Sequence, residues 1–223
     1  METLKIAIDG PAGAGKSTIA KAVAKTLGFV YIDTGAMYRA IGLAAHRRGI
    51  DTTDAAAVSA ILDEIEVSIS HDARGQRVYL NKEDVSEEIR LPEISVAASH
   101  VAVIPAVRLK LVELQRKLAQ QTDVIMDGRD IGTYVLPDAQ LKIFLTADLA
   151  ERARRRYAEL TEKGVATTLD AVTEDMAFRD KNDSGRDFAP LKPAQDSVMV
   201  DSTAMTLDET VEKITHLAQA LQR

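Results

Sequence analysis

The stretch GPAGAGKST, residues 10–18, constrains this chain most. It fits G-x-x-x-x-G-K-[ST], and it does so in the setting that the pattern needs. The apolar run LKIAI precedes it at 4–8, as a buried strand would. Residues 16–27 then space Ile19, Val23 and Leu27 along one helical face, with Lys21 and Lys25 opposite and Gly28 as a stop. A glycine-rich turn between strand and helix can curl until successive backbone N–H groups face phosphate oxygens, and the helix terminus adds partial positive charge. Gly10, Pro11, Ala12, Gly13, Ala14 and Gly15 supply that cradle. Lys16 reaches for the outer phosphates of a nucleotide, the Ser17 hydroxyl suits a Mg2+ shell, and Thr18 closes the pattern.

Further short apolar runs follow: FVYI at 29–32, VIM at 124–126, LKIFL at 141–145 and SVMV at 197–200. Counting LKIAI, four of the five end at an aspartate: Asp9, Asp33, Asp127 and Asp201. Continuous apolar strands separated by helical patterns predict an α/β fold with a parallel sheet covered on both faces. The carboxyl ends of strands in such sheets border the ligand crevice. Residues 35–48 read as a helix that stops at Gly49. The last segment opens with a capping box from Thr206 to Glu209 and sets Leu207, Val211, Ile214 and Leu221 on one face. Residues 65–90 break the alternation, because EVSIS, RVYL and VSEEIR, separated by the turns DARGQ and NKED, read as a small antiparallel meander. It falls between the second and third core strands, so it reads as an insert. Residues 92–121 are helical with a break at Pro105.

A formal net charge of −6 gives no general attraction for nucleic-acid polymers, so any anion site must be a local basic cluster. The absence of cysteine excludes disulfides, thiolate metal sites and cysteine nucleophiles. No apolar run approaches the ~20 residues of a membrane span, and residue 5 already belongs to a strand pattern. The expectation is a cytoplasmic protein without signal peptide or membrane association.

A bound triphosphate leaves two classes open: a regulatory hydrolase, or a kinase with a small acceptor. DARG at 72–75 fits D-x-x-G, and NKED at 81–84 resembles a guanine-reading N-K-x-D. Too few residues separate them for each to end its own core strand, and Asp, Asn and Gly are ordinary turn formers. On the acceptor side, DTGAMYR at 33–39 places Arg39 one to two turns into a helix. VIMDGRDIGT at 124–133 ends a strand at Asp127, an acid suited to ordering Mg2+ and its waters, with Arg129 just beyond. Two guanidinium forks converging from separate loops suit a monophosphate; the competing reading of Arg129 is a local ion pair with its flanking acids. AERARRRYAEL sets Arg152, Arg154, Arg155 and Arg156 on a helix, as a solvated face or as a lid over transferring phosphates. Arg179 and Asp183 are spaced for an i,i+4 pair, with Arg186 shortly after.

The set DGPAGAGKST, DTGAMYR, VSEEIR, DGRDIGT and RDKNDSGRDFAPL resembles the bacterial cytidylate kinases, nearly end to end. The resemblance implies a P-loop NTPase-type fold with a five-stranded parallel sheet, a small antiparallel-sheet insert and a short lid. The core is expected over 1–62 and 122–223 with the lid at about 152–168, and the monophosphate-binding insert with its helices over 63–121. It implies transfer of the γ-phosphoryl group of ATP to CMP or dCMP with Mg2+, by a monomer. UMP or dTMP as acceptor is the nearest alternative, and a P-loop regulatory NTPase the more distant one. The implied ATP site is Gly10 to Thr18 with Arg152, and Ser17 and Asp127 serve the metal. The implied CMP contacts are Thr34, Arg39, Ser99, Arg108, Arg129, Asp130, Arg179, Asp183 and Arg186. Among all these, Lys16, Arg39, Arg129 and Arg156 carry the transferring charge. Within that placement, Asp130 accepts from the cytosine amino group and Arg108 donates to its ring acceptors, a pattern that uracil mismatches.

Overall fold

The computed structural model describes residues 3–222, so positions 1, 2 and 223 of the expected core lie outside the described residues. The chain runs β1 (Lys5–Asp9), α1 (Lys16–Leu27), β2 (Val30–Asp33), α2 (Thr34–Arg47) and a short α3 (Ala55–Ala60). It continues through β3 (Val67–Asp72), β4 (Gly75–Leu80), β5 (Glu83–Asp84), α4 (Pro92–Val101) and α5 (Pro105–Ala119). Then come β6 (Val124–Gly128), β7 (Leu141–Thr146), α6 (Leu149–Glu162), α7 (Leu169–Gly185), β8 (Val198–Asp201) and α8 (Leu207–Gln219). Each of the five apolar runs became a strand of one sheet, ordered β2-β6-β1-β7-β8. The chain divides into two compact units, one of Met1–Tyr31 with Gln121–Arg223 and one of Ile32–Gln120.

In the first unit, β1 pairs in parallel with β6 and β7, and β7 with β8. The register sets Ile6 opposite Ile125 and Ile8 opposite Ile143, so one face of the sheet is a continuous aliphatic surface. Ile19 and Val23 of α1 and Ile214 and Ala218 of α8 bury themselves against it. Each fully buried aliphatic side chain contributes about 1.5–3 kcal/mol, so this face is the main source of the unit's stability. Gly28 ends α1 in a left-handed cap, as expected. The capping box on α8 is formed in both directions, Glu209 N–H to Thr206 Oγ1 and Thr206 N–H to Glu209 Oε2. The expected apolar face of α8 needs correction at its ends, because Leu207 and Leu221 are exposed. Leu207 is the first helical residue, and Leu221 lies past the helix in a 3-10 turn of different pitch. The buried row is Thr210, Ile214 and Ala218.

In the second unit, β3, β4 and β5 form the antiparallel sheet. DARG closes the β3–β4 hairpin, with the Arg74 N–H donating to Asp72 Oδ1. Asn81 and Lys82 take left-handed backbone angles between β4 and β5. Both guanine-site look-alikes are therefore turn chemistry. The meander also differs in its third strand, which is only Glu83–Asp84, inside the expected turn. VSEEIR is not a strand, and ends in a 3-10 turn at Glu88–Arg90. The helical stretch breaks before Pro105, as its missing N–H requires. Among the described residues, no single helix is long and apolar enough to cross a membrane; α4 and α5 pass only as a pair bent by 101°.

Candidate active site

The phosphate loop leaves β1 through Gly10, where a side chain would run into the Leu145 carbonyl of β7. Gly13 has φ +71, and a Cβ there would meet Met176 of α7. The loop is thus packed from outside by α7 as well as strung between β1 and α1. Ala12 is held at both its backbone groups. Its N–H reaches Asp180 Oδ1 at 3.3 Å, and its carbonyl accepts from Arg152 at 2.8 Å. Arg152 and Asp180 pair with each other at 2.7 Å. Arg152 is buried and also donates to the Ala147 carbonyl, so it braces the loop rather than reaching into solvent. Arg156 instead sits half-exposed and pairs with Glu159 along its own helix at 2.7 Å. Arg154 and Arg155 both pair with Glu151.

Lys16 is buried and folds back on its own loop, its Nζ donating to the Pro11 carbonyl at 2.7 Å. Burial, and then the Arg129 charge, push its ammonium down to about 7, against the pull of Asp127, Asp183 and Asp9. Ser17 donates from its hydroxyl to Asp127 Oδ2 at 2.8 Å, and Tyr31 donates to Asp127 Oδ1 at 2.8 Å. A hydroxyl and a carboxylate side by side are hard oxygen donors, which fits Mg2+ completing its shell with phosphate and water. Both Asp127 oxygens accept hydrogen bonds, which fixes the orientation of the carboxylate beside Ser17. Among the described residues, no group of three or more His, Cys, Asp or Glu side chains could hold a metal alone.

The residues after β6 gather a second set of charges. Arg129 pairs with Asp183 at 2.6 Å, through its Nε, across 54 residues of chain. The competing expectation of a pair with its flanking acids therefore gives way to this distant partner. Burial alone would raise Asp183, but Arg129 outweighs it and holds the carboxyl below its usual range. Arg186 lies 3.7 Å from Asp130 and 3.9 Å from Asp183, and Asp130 and Arg186 are both buried. The i,i+4 pair between Arg179 and Asp183 gives way too, because Arg179 turns back to Asp175 at 3.8 Å. Burial and the Arg129 charge lower Arg179. Arg129, Asp130, Asp183 and Arg186 thus form one partly buried charge network in the first unit.

Thr34, Arg39, Ser99 and Arg108 belong to the second unit. Asp33 caps α2 by accepting from the Ala36 N–H, and its other oxygen takes Arg39 at 2.8 Å and Arg90 at 3.1 Å. Burial raises the Asp33 carboxyl, but Arg39 and Arg90 more than reverse this and leave it low. The buried Nε of Arg39 meets no hydrogen-bond acceptor, a donor left available for an anion. Thr34 is buried at the start of α2. Arg108 is 1% exposed, donates to the Ala102 carbonyl at 3.0 Å, and stacks its guanidinium over Tyr38. Ser99 Oγ donates to the Ser95 carbonyl at 3.3 Å.

Sequence reasoning passed over four supporting residues. Tyr31 holds Asp127, Asp180 holds Arg152 and Ala12, and Arg90 shares Asp33 with Arg39. Asp9 accepts from two backbone N–H groups of the loop after β6. The recurring strand-end aspartates were the available signal for Asp9 and Asp33. No such position marked Tyr31, Asp180 or Arg90.

A sequence model of the family described as Cytidylate kinase matches residues 6–220. A protein named cytidylate kinase from Lactobacillus johnsonii is 49% identical over 220 residues, covering 99% of this chain and 96% of its own length. Another of that name, from Caldicellulosiruptor saccharolyticus, is 51% identical, covering 97% of this chain and 96% of its own. Among solved structures, a gluconokinase from Sinorhizobium meliloti superposes with a TM-score of 0.51 at 15% identity, over 98% of this chain and 95% of that one. That likeness speaks for the fold alone. With a family match over nearly the whole sequence and close relatives matched almost end to end, the chain belongs to the cytidylate kinase family.

Proposed function

We propose that this protein transfers the γ-phosphoryl group of ATP to CMP or dCMP, giving CDP or dCDP and ADP. The observation that carries this reading is the partly buried charge network of Arg129, Asp130, Asp183 and Arg186 beside a complete phosphate loop, in a chain of this family. Triphosphate hydrolysis alone would not call for it.

The chemistry asks mostly for positioning and charge neutralisation, since the transition state is loose. The acceptor phosphate has its second ionisation near ~6 and is a nucleophile at neutral pH without a general base. Gly10 to Thr18 hold the ATP phosphates, and Arg152 acts on them by fixing Ala12. Lys16 leaves the Pro11 carbonyl for the outer phosphates. Mg2+, held beside Ser17 and Asp127, supplies charge neutralisation on the donor phosphates when bound. Arg39 and Arg129 bind the acceptor phosphate and Arg156 adds charge at closure of the lid, 152–168. Arg179 and Asp183 take the ribose. Thr34, Ser99, Arg108, Asp130 and Arg186 surround the cytosine and its neighbouring atoms. The insert is 63–121, within the core 1–62 and 122–223. The protein acts as a cytoplasmic monomer, with neither a membrane nor a nucleic-acid polymer as partner.

An ADP-release assay over CMP, dCMP, UMP, dTMP and AMP tests this. A clear preference for cytidine nucleotides is expected. Equal rates with all acceptors, or hydrolysis without any, would remove the reading.

A further inference from the structure

Asp9 takes no part in the mechanism above, yet it is a buried carboxylate at the centre of the sheet's carboxyl edge. As the last residue of β1 it pairs in register with Gly128, the last residue of β6. Its side chain then reaches past that strand end. Oδ1 accepts from the Ile131 N–H at 2.8 Å, and Oδ2 accepts from the Gly132 N–H at 2.7 Å. Each oxygen serves one donor, so the carboxylate is bidentate to backbone. Residues 129 and 130 are therefore a two-residue arch with both feet on Asp9: one through strand pairing at Gly128, the other through the carboxylate at Ile131 and Gly132. Beyond the second foot the chain closes a single π turn over Ile131–Val135, with Tyr134 and Val135 N–H groups donating to the Asp130 carbonyl. Asp9 is also joined covalently to Gly10, the first residue of the phosphate loop.

We infer that Asp9 is a positioning residue for acceptor selection, fixing the arch that carries Arg129 and Asp130 relative to the phosphate loop. The inference rests on the proposed reading of cytosine by Asp130. Two features support it beyond the distances. The anchor acts on backbone N–H groups directly after Asp130, so little freedom remains between anchor and selecting side chain. Burial raises the Asp9 carboxyl and the Gly132 and Ile131 N–H groups pull it back, leaving it at about 6, so at neutral pH it is ionised and both oxygens accept. A neutral isostere breaks that symmetry. Asparagine offers one carbonyl oxygen and turns its NH2 toward the remaining N–H, two donors face to face.

The test compares Asp9→Asn with Asp130→Ala, using CMP and UMP as acceptors at saturating ATP. Misplacement of a positioned group by about 1 Å is worth about 100-fold in rate, and loosening one foot of the arch should cost less. The expected result for Asp9→Asn is a CMP:UMP ratio of kcat/KM narrowed roughly threefold to tenfold. The KM for CMP should rise by a similar factor, with the KM for ATP changed less than about twofold. A role in stability alone would lower both acceptors together and leave the ratio in place; that outcome, with Asp130→Ala narrowing the ratio, overturns the inference and spares the base reading. An unchanged ratio in Asp130→Ala overturns both. Amide hydrogen exchange on the unaltered, ligand-free protein gives a second measurement that needs no variant. Ile131 and Gly132 should exchange far more slowly than Arg129 and Asp130, and equal exchange would overturn the anchor even if Asp9→Asn failed to fold.

Discussion

The phosphate loop and the arch after β6 are neighbours on one sheet edge and are built in opposite ways. The loop works through its backbone, and its donors come from consecutive residues whose geometry is set by glycine and by the start of α1. The arch works through side chains, and each is held by something far along the chain: Arg129 by Asp183, Asp130 beside Arg186, the backbone by Asp9. A backbone site can be carried intact into many proteins as one short cassette. A side-chain site depends on several elements at once, which suits the part of an enzyme that chooses its substrate.

The largest effect that could break this contrast is at Lys16, the cationic side chain that the loop itself carries. Lys16→Ala should lower kcat by about 10²–10³ with every acceptor, as removal of a transition-state donor does. A mild or acceptor-dependent loss would mean that the loop shares in selection. Arg129→Ala comes next, with a loss of about 10² in kcat/KM that is equal for CMP and UMP, since its proposed target is the phosphate. Asp130→Ala should do the reverse, narrowing the CMP:UMP ratio about tenfold, the value of one unmatched buried polar contact. Steady-state kinetics on both variants sharpen the comparison, and exchanged phenotypes would show that the neighbours have exchanged roles. Asp33→Ala removes a helix cap and the acid holding Arg39 and Arg90. The cap alone is worth about 1 kcal/mol, so a melting temperature lower by roughly 2–4 °C is expected in calorimetry.

The smallest effect is a proton. Lys16 titrates near 7 in the free protein, and the phosphates of ATP will raise it. Binding then takes up about half a proton at pH 7, rising toward one at pH 8. Titration calorimetry in buffers of different ionisation enthalpy measures it directly. Equal proton exchange in the unaltered protein and in Lys16→Ala would show that Lys16 is charged before ATP arrives.

What could be read in the sequence follows the same division. The loop, the α1 stop at Gly28 and the Thr206 capping box are local, with every partner within a few residues, so spacing alone located them. The five strands were legible because buried parallel strands are apolar throughout. The partner of Arg129 was not legible, because two acids adjoin it in sequence while the one it binds is on α7. Its run of arginines made Arg152 read as a solvated or lid residue and only the resemblance set it at the ATP site, while its side chain meets Ala12 and Asp180. The third strand of the meander shrank because Asn81 and Lys82 together take the turn's left-handed positions, ahead of the turn's expected end.

Lys16 on the Pro11 carbonyl has a consequence for turnover. On the proposed mechanism its ammonium gives up this internal acceptor when nucleotide enters and regains it when product leaves. Phosphate binding at this residue is therefore an exchange of one hydrogen bond for another, driven by the difference in charge between a carbonyl dipole and a phosphate oxygen. As charge leaves the donor side on conversion of ATP to ADP, that difference shrinks while the carbonyl stays where it was. The loop carries its own competitor for the lysine, and the competition shifts toward release once the γ-phosphoryl group has gone.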